Sequence, residues 1–502
     1  MLKKISKQTY LLLIILIIAS FFRLYNLSGT DSVPPGLYPD EAMNGNNASE
    51  ALDTGNFKMF YPENGGREGL FINIQAMSIK VFGNEPWALR LPSAIFGILT
   101  VLGIYLLGAA LFNNASIGLL SAFFTAISFW HINFSRIGFR AIMAPLLLVW
   151  ALYLVILAIK KNNTVNKPLH TDDPSWLLSA FAGLVYGCGF YTYIAYRATP
   201  LLVLIVFLLY WHKNKRAADV LEVFRIFALF TFIAILPLAA YFIQNPQDFI
   251  GHASQLSVFH SASPLKELGS NILKTAGMFN FSGDTNWRHN FAGRPELYWP
   301  IGIVFLVGIF YGLKQAIQKG GKDFLILFSW IIVAAIPVVL SNEGIPHALR
   351  SILMVPAVFI LAGAGTFKIY ELLMNKIPGF CHKHGKLVKN SFLLFCALLI
   401  TQSYNYYFLE WGNDPNVEYA FRQNYVDIGE MLNSLPQETM KYVVAEKSDV
   451  MVRGIPMPAQ TVMFITDTFT PEKQKEKNIF YLLPGQEQDR SENDALFFYL
   501  KP

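Results

Sequence analysis

A chain of 502 residues that is 53% hydrophobic and only 15% charged falls well short of the roughly one-quarter charged residues usual in a soluble domain. Its formal net charge of +6 comes mostly from lysines in short loops, so it reports membrane topology and not nucleic acid binding. Cys188, Cys381 and Cys396 have neither the spacing of a disulfide framework nor that of a metal cluster.

The first apolar run, "TYLLLIILIIASFFRLYNL", follows Lys3, Lys4 and Lys7 and lacks a small-residue cleavage site, so it reads as a retained signal-anchor helix. Further runs long enough to cross a bilayer recur to about residue 410. Hydropathy places about 11 transmembrane helices, near 9–26, 91–112, 115–133, 141–159, 176–195, 199–211, 223–243, 297–313, 323–340, 350–371 and 391–410. Alternate short loops carry Lys160/Lys161/Lys167, Lys213/Lys215/Arg216, Lys314/Lys319/Lys322 and Lys376/Lys383/Lys386/Lys389. All lie on the side of Lys3, Lys4 and Lys7, which predicts a cytoplasmic N-terminus. Residues 27–90, 244–296 and the tail from 411 are then extracytoplasmic.

In the first outer loop, "YPDEAMNGNNASEALDTG" places Asp40 at a helix start and Gly55 at its end. Capping alone would select an aspartate there, and Glu41 would follow at the first helical position. Asn44, Asn46 and Asn47 make this helix polar enough to meet sugar hydroxyls, or simply solvent. A second polar knot, Glu63 to Glu68, precedes an amphipathic helix with Leu70, Ile74, Met77 and Val81 on one face. That helix is expected to lie in the membrane interface, giving two juxtamembrane helices in this loop.

Isolated arginines mark the outer ends of the spans: Arg67, Arg90, Arg136, Arg140, Arg197 and Arg350. Arginine is unfavourable near hydrocarbon and needs a partner. Its guanidinium matches phosphate bidentately, so arginines from separate spans could converge on a phosphate at the membrane surface. Headgroup contact or helix-end pinning would also account for any one of them. In the outer loop 244–296, "FNFSGDTNWRHNFAGRPELYWP" is dense in aromatics and amides that suit a sugar-binding lid or an interfacial belt. The tail turns polar: a helix at 418–435, then "KYVVAE", "NIFYLL" and "ALFFYL", predict a small α/β domain at 411–502, after a transmembrane domain at 1–410.

The first loop, "YPDEAMNGNNASEAL…YPENGGREGLFINIQAM…EPWALRLPSAIFGIL", resembles the large first extracytoplasmic loop of glycosyltransferase family 39 and its bacterial relatives. These are the protein O-mannosyltransferases and the aminoarabinose transferases that modify lipid A. "FSRIGFRAIMAPLLL" and "GIPHALRSILMVPAVFILAGAG" support the likeness. The resemblance implies a GT-C fold and an inverting transfer, on the outer face, of one sugar from a polyprenyl-phosphate donor to an acceptor: a protein hydroxyl, a glycolipid or a cell-envelope polymer. Asp40 stands where the family has its acid after the first span and is the candidate general base, with Glu41 beside it. Arg67 replaces the lysine of a Lys-Pro-Pro-Leu-like stretch, whose prolines are absent here. Arg350 matches an arginine near the start of a late span.

Physical chemistry asks for the same groups: a carboxylate to take the acceptor proton and fixed cations, here Arg67, Arg136, Arg140 and Arg350, for the charge on the departing phosphate. A divalent cation is used by some GT-C enzymes and not by others. Glu63, Glu68, His252, His260 and His289 are the candidate ligands, with no diagnostic spacing. Two other readings are a transporter or flippase of lipid-linked sugars, and a scaffold whose tail binds a partner. Transporters set their charged sites near the bilayer midplane, whereas here the charges gather beyond the span ends.

Overall fold

The computed structural model describes residues 6–29, 31–162, 174–213, 217–249, 258–260, 263–342, 344–378, 383–490 and 495–501. Lys167, Lys215, Arg216, His252 and Cys381 fall outside them, as does the side chain of His260. Among the described residues, 9 helices are long and apolar enough to span a membrane: Lys7–Leu24, Pro86–Phe112, Arg140–Asn162, Ile194–His212, Ala217–Gln244, Trp299–Gln318, Lys322–Val339, Ile352–Lys376 and Gly385–Trp411. The chain is a multi-pass, mostly helical membrane protein.

The other two expected spans are broken helices. In the first, Ala115–Ala126 ends at Ile127, and Ser128 starts a new helix, Phe129–Phe134, by accepting the amide of His131. At 1.5 Å per residue, the 12 residues of Ala115–Ala126 cover about 18 Å of the roughly 30 Å core. The second, Pro174–Cys188, passes into two 3-10 turns, Gly189–Tyr191 and Ile194–Ala198. Both helices still pack into the bundle, the first against Pro86–Phe112 and Val355–Lys376, the second against Ala217–Gln244. Small residues allow these close approaches: a Cβ on Gly118 would meet the Tyr105 carbonyl oxygen at 2.5 Å, and one on Gly183 the Phe227 carbonyl at 2.4 Å.

Two arginines are spent on the bundle itself. Arg23 donates to the carbonyls of Ala19, Thr125 and Ala126 and contacts His131 Nδ1. Arg136, fully buried, donates to the carbonyls of Val33, Phe22 and Asn26 at 2.8, 3.0 and 2.8 Å. It thereby satisfies a carbonyl at the end of the first span, which has no intrahelical partner, and it stacks on Tyr407 and Phe408.

The first loop contains the two expected helices, Pro39–Thr54 and Gly69–Phe82. In the second, the buried face is Phe71, Ile72, Gln75, Ala76 and Ile79, while Met77 and Val81 of the expected apolar face are exposed. The protein thus holds one side of this helix and leaves the other apolar side uncovered. Between the helices lies a short antiparallel hairpin that pairs Phe60 with Glu68 and Tyr61 with Arg67. Its turn uses Asn64, Gly65 and Gly66, all at positive φ, where Asn and Gly are tolerated best.

Beyond the π-helical end of the last span, Asn405–Trp411, the chain forms an α/β unit. Strand Lys441–Ala445 lies between Ile479–Leu482 and Leu496–Leu500, parallel to both, so each return is a crossover: the first carries the helices Ala459–Thr466 and Pro471–Lys477, the second the 3-10 turn Gln486–Arg490. The helix expected at 418–435 is two, Pro415–Ala420 and Gln423–Ser434, separated by Arg422 at φ 57°. This unit is clamped to the first loop. Phe464 sits against Gly45, where a Cβ would lie 2.3 Å from its ring. Asn46 donates to Gln460, Gln423 accepts the Gly36 amide, and Arg453 bridges Glu50 and Glu63.

Candidate active site

A cavity of about 600 Å³ opens where the first loop meets one end of the spans, and it brings together Asp40, Arg67, Arg140, Arg288 and Arg350 with Asp284. The six groups reach it from five segments, Asp284 and Arg288 sharing the stretch between Gly277 and Trp299. Asp40 comes from the first turn of Pro39–Thr54, whose N-cap is Tyr38 with Pro39 as the first helical residue. Asp40 is therefore not the cap. Its Oδ1 accepts from Asn64 Nδ2 at 2.5 Å, across the hairpin turn, and the helix dipole favours its charge. Tyr38 stacks under Arg288, 3.8 Å from the guanidinium carbon to the ring centroid. Burial, and then the neighbouring Asp40, push its hydroxyl pKa up.

Arg67 leaves the hairpin almost fully buried and donates to Asn44 Oδ1 at 2.7 Å and Asn47 Oδ1 at 2.5 Å. The amides of the polar helix thus orient a cation. Desolvation, followed by repulsion from Arg140, lowers the Arg67 pKa to about 10, which still leaves it charged at neutral pH. Its buried Nε has no hydrogen-bond partner among the described residues. Arg140 meets Glu68 at 3.1 Å, and Arg350 donates to Ser341 Oγ and acts on the Tyr193 hydroxyl.

Two expected site residues lie elsewhere. Glu41 is completely buried and does not line the cavity. Its carboxylate pairs with Arg90 at 3.0 and 3.1 Å and accepts the Gly138 amide at 2.6 Å, because its helix position points it inward, toward the bundle. Arg90 completes that knot on the carbonyls of Pro34 and Gly36. Arg136 is the helix-end pin described above and also does not line the cavity.

The expected metal ligands from the first loop are already neutralised by arginine. Glu68 lies between Arg140 and Arg197, and Glu63 between Arg67 and Arg453. Among the described residues, the group with ligand geometry is Asp284, His289 and His347. Of these, sequence reasoning singled out only His289. Asp284 and His347 stood in the quoted stretches "FSGDTNWRHN" and "GIPHALR", but their pairing over about 60 residues of chain left no local spacing to read. Desolvation lowers the pKa of His289, and burial together with His289, Arg350 and Arg288 lowers that of His347 well below the usual value.

A second, larger cavity of about 920 Å³ lies between the 25–36 segment, the end of the last span and the α/β unit. Its walls carry Asp31, Glu85, Asp414, Glu418, Asp427 and Glu430 and neither lysine nor arginine. An anionic ligand is therefore favoured in the first cavity over the second.

Residues 70–241 match the protein family described as dolichyl-phosphate-mannose-protein mannosyltransferase. Among solved structures, the oligosaccharyltransferase of Archaeoglobus fulgidus is similar to the chain at 14% identity, with a TM-score of 0.59 over 95% of this chain and 64% of that one. The chain thus spans just under two thirds of that protein's length. ArnT from Cupriavidus metallidurans in its apo state is similar at 15% identity and a TM-score of 0.55, covering 92% of this chain and 85% of that one. ArnT has also been solved bound to undecaprenyl phosphate, and that structure is similar at a TM-score of 0.55 over 98% of this chain and 92% of that one. No curated protein sequence matches. The fold is the GT-C fold. The resemblance to family 39 glycosyltransferases is carried by the match over 70–241 and by this architecture together.

Proposed function

We propose that the chain is an inverting glycosyltransferase that moves a sugar from a polyprenyl-phosphate donor to an acceptor hydroxyl on the outer face of the cytoplasmic membrane. The observation that carries this reading is the convergence of Asp40 with Arg67, Arg140 and Arg350 on one cavity, which supports a carboxylate base working beside fixed cations. Asp40 takes the acceptor proton as the acceptor oxygen bonds to the anomeric carbon. The bond from that carbon to the phosphate oxygen breaks, and its electron pair leaves with the polyprenyl phosphate. Asn64 holds Asp40 through Oδ1, leaving Oδ2 to meet the acceptor hydroxyl. The arginines stabilise the phosphate more strongly as its charge grows, so their contribution is catalytic and not only to binding.

Several observations support the placement. The structure of ArnT with undecaprenyl phosphate provides a lipid phosphate precedent on the same fold. The lysines Lys7, Lys160, Lys161, Lys314 and Lys376 flank span ends on one side by topology, supporting a cytoplasmic N-terminus. The acceptor is a protein hydroxyl, a glycolipid or an envelope polymer, and the unit from 411 onward is extracytoplasmic beside it.

The test is purified protein in lipid nanodiscs with polyprenyl-phosphate sugars and candidate acceptors, with products weighed by mass spectrometry. A mass increase of one sugar on an acceptor is expected; donor turnover with no acceptor and no dependence on Asp40 would overturn the proposal. Arg67→Ala is expected to lower kcat by about 10²- to 10³-fold, the range for removing one donor to a developing oxyanion. Arg67→Lys should recover part of this, since it restores charge without the two-pronged contact.

A further inference from the structure

We propose that the helix Pro264–Gly277 docks an anionic phospholipid, with Lys266, Ser270 and Lys274 taking its phosphate and Leu265, Ile272 and Leu273 meeting its acyl chains. The helix has three distinct sides. Asn271 and Thr275 are buried, and Asn271 Nδ2 donates to the carbonyls of Val339 and Ser341 at 3.1 and 2.8 Å. This ties the helix to the end of the span Lys322–Val339. Leu265, Ile272 and Leu273 are 82%, 50% and 74% exposed and share a second side, because positions i, i+7 and i+8 lie close together around a helix. Lys266, Ser270 and Lys274, at successive i, i+4 steps, share the third.

The third side walls a cavity of about 500 Å³ together with Asn342 and Gly344. Glu267 lines it too, so two lysines against one glutamate leave it cationic, and a phosphate diester supplies the missing charge. The apolar side adjoins the spans: Phe281, just past the helix end, and Trp299, at the start of the span Trp299–Gln318, are both exposed. Aromatics so placed mark a membrane–water interface. A helix with lysines on one side and leucines on the next lies in that interface and is drawn to anionic lipid. An amphiphile answers both sides at once. Free phosphate would leave the leucines in water, and zwitterionic lipid would leave the cavity's charge uncompensated. Glu267 and Asn342 can accept from the hydroxyls of a glycerol headgroup, which favours phosphatidylglycerol.

Gly344 lines both this cavity and the arginine-lined one, so the docked lipid sits beside the site proposed for the donor phosphate and is distinct from it. Ser341, whose carbonyl Asn271 holds, also accepts from Arg350 through Oγ. Seating the helix on lipid therefore bears on the segment that presents Arg350 to the first cavity. That consequence for catalysis rests on the transferase reading, whereas lipid docking does not.

The test puts the photoreactive residue p-benzoylphenylalanine in place of Leu273, on the exposed apolar side, in full-length protein held in nanodiscs of phosphatidylglycerol mixed with phosphatidylcholine. After irradiation, mass spectrometry weighs the lipid attached. Adducts richer in phosphatidylglycerol than the bulk mixture are expected. A lysine near an anionic surface contributes about 5-fold, so Lys266→Gln combined with Lys274→Gln should cut that preference by up to about 25-fold, towards the bulk ratio. Lipid adducts should still form, and the melting temperature should hold, since both lysines are exposed. Neither inorganic phosphate nor polyprenyl phosphate, added as a minor component, should displace the phosphatidylglycerol. Asp40→Asn should give the parent's adducts, so failure of docking and failure of transfer are read separately. An absence of lipid adducts, an unchanged preference in the double variant, or displacement by either phosphate would overturn the proposal.

Discussion

Asp40→Asn is expected to abolish sugar transfer, lowering kcat by at least about 10²- to 10⁴-fold, the usual contribution of a positioned base, while leaving the fold intact. The second half of this expectation comes from the geometry. Tyr38, not Asp40, is the N-cap, and it makes no side-chain capping bond, so the substitution removes no cap. The amide is isosteric, and its own oxygen can accept from Asn64 as the carboxylate does. What is lost at the helix start is a charge–dipole contribution of about 0.3–1 kcal/mol. The measurement pairs product mass spectrometry with thermal unfolding in detergent. Full transfer by a normally folded Asp40→Asn protein would remove Asp40 from the role of base.

The opposite pattern is expected one residue further on. Glu41→Ala or Arg90→Ala should destabilise the protein by about 3–5 kcal/mol, because each strands a buried charge. The pair is buried at 0% and 1% exposure and ties together the 34–36 segment, the start of Pro86–Phe112 and Gly138. Loss of activity would accompany loss of fold, with a melting temperature well below the parent's. The double variant should cost less than the sum of the singles, since they act within one network. If Glu41→Ala melts normally yet transfers no sugar, the carboxylate acts in the chemistry and not in the scaffold.

The contrast between these neighbours shows what the sequence could and could not disclose. "DEA" places two acids side by side, and the helix that makes them adjacent also turns them about 100° apart. One faces the cavity and the other the bundle; only the partners, Asn64 and Arg90, say which is which. Long apolar runs were legible because hydropathy is a local property, and so were the first-loop helices and the strands of the tail. The breaks at Ile127 and after Cys188 were hidden, because apolar residues continue through them. The arginines were legible as a set, yet Arg136 and Arg350 look alike in sequence. Their fates depend on whether backbone carbonyls or a cavity lie within reach. Asp284 and His347 were invisible as a pair for the same reason.

The clamp between the first loop and the α/β unit has a consequence for how the protein is made. Asn46, six residues from Asp40, is bonded to Gln460 across a separation of 414 residues, and Asn84 to Phe464 across 380. Synthesis proceeds from the N-terminus, so the Asp40 helix leaves the ribosome well ahead of the segment that seats it, with Asn46 preceding Gln460 by 414 residues. Pairings this distant in sequence form slowly and late. The spans can insert one after another, but the chemical corner is completed only after residues 460–464 have been made. Proteins stalled or cut between residues 411 and 460 would reach the membrane with Arg67, Arg140, Arg288 and Arg350 present and the Asp40 helix not yet locked in place.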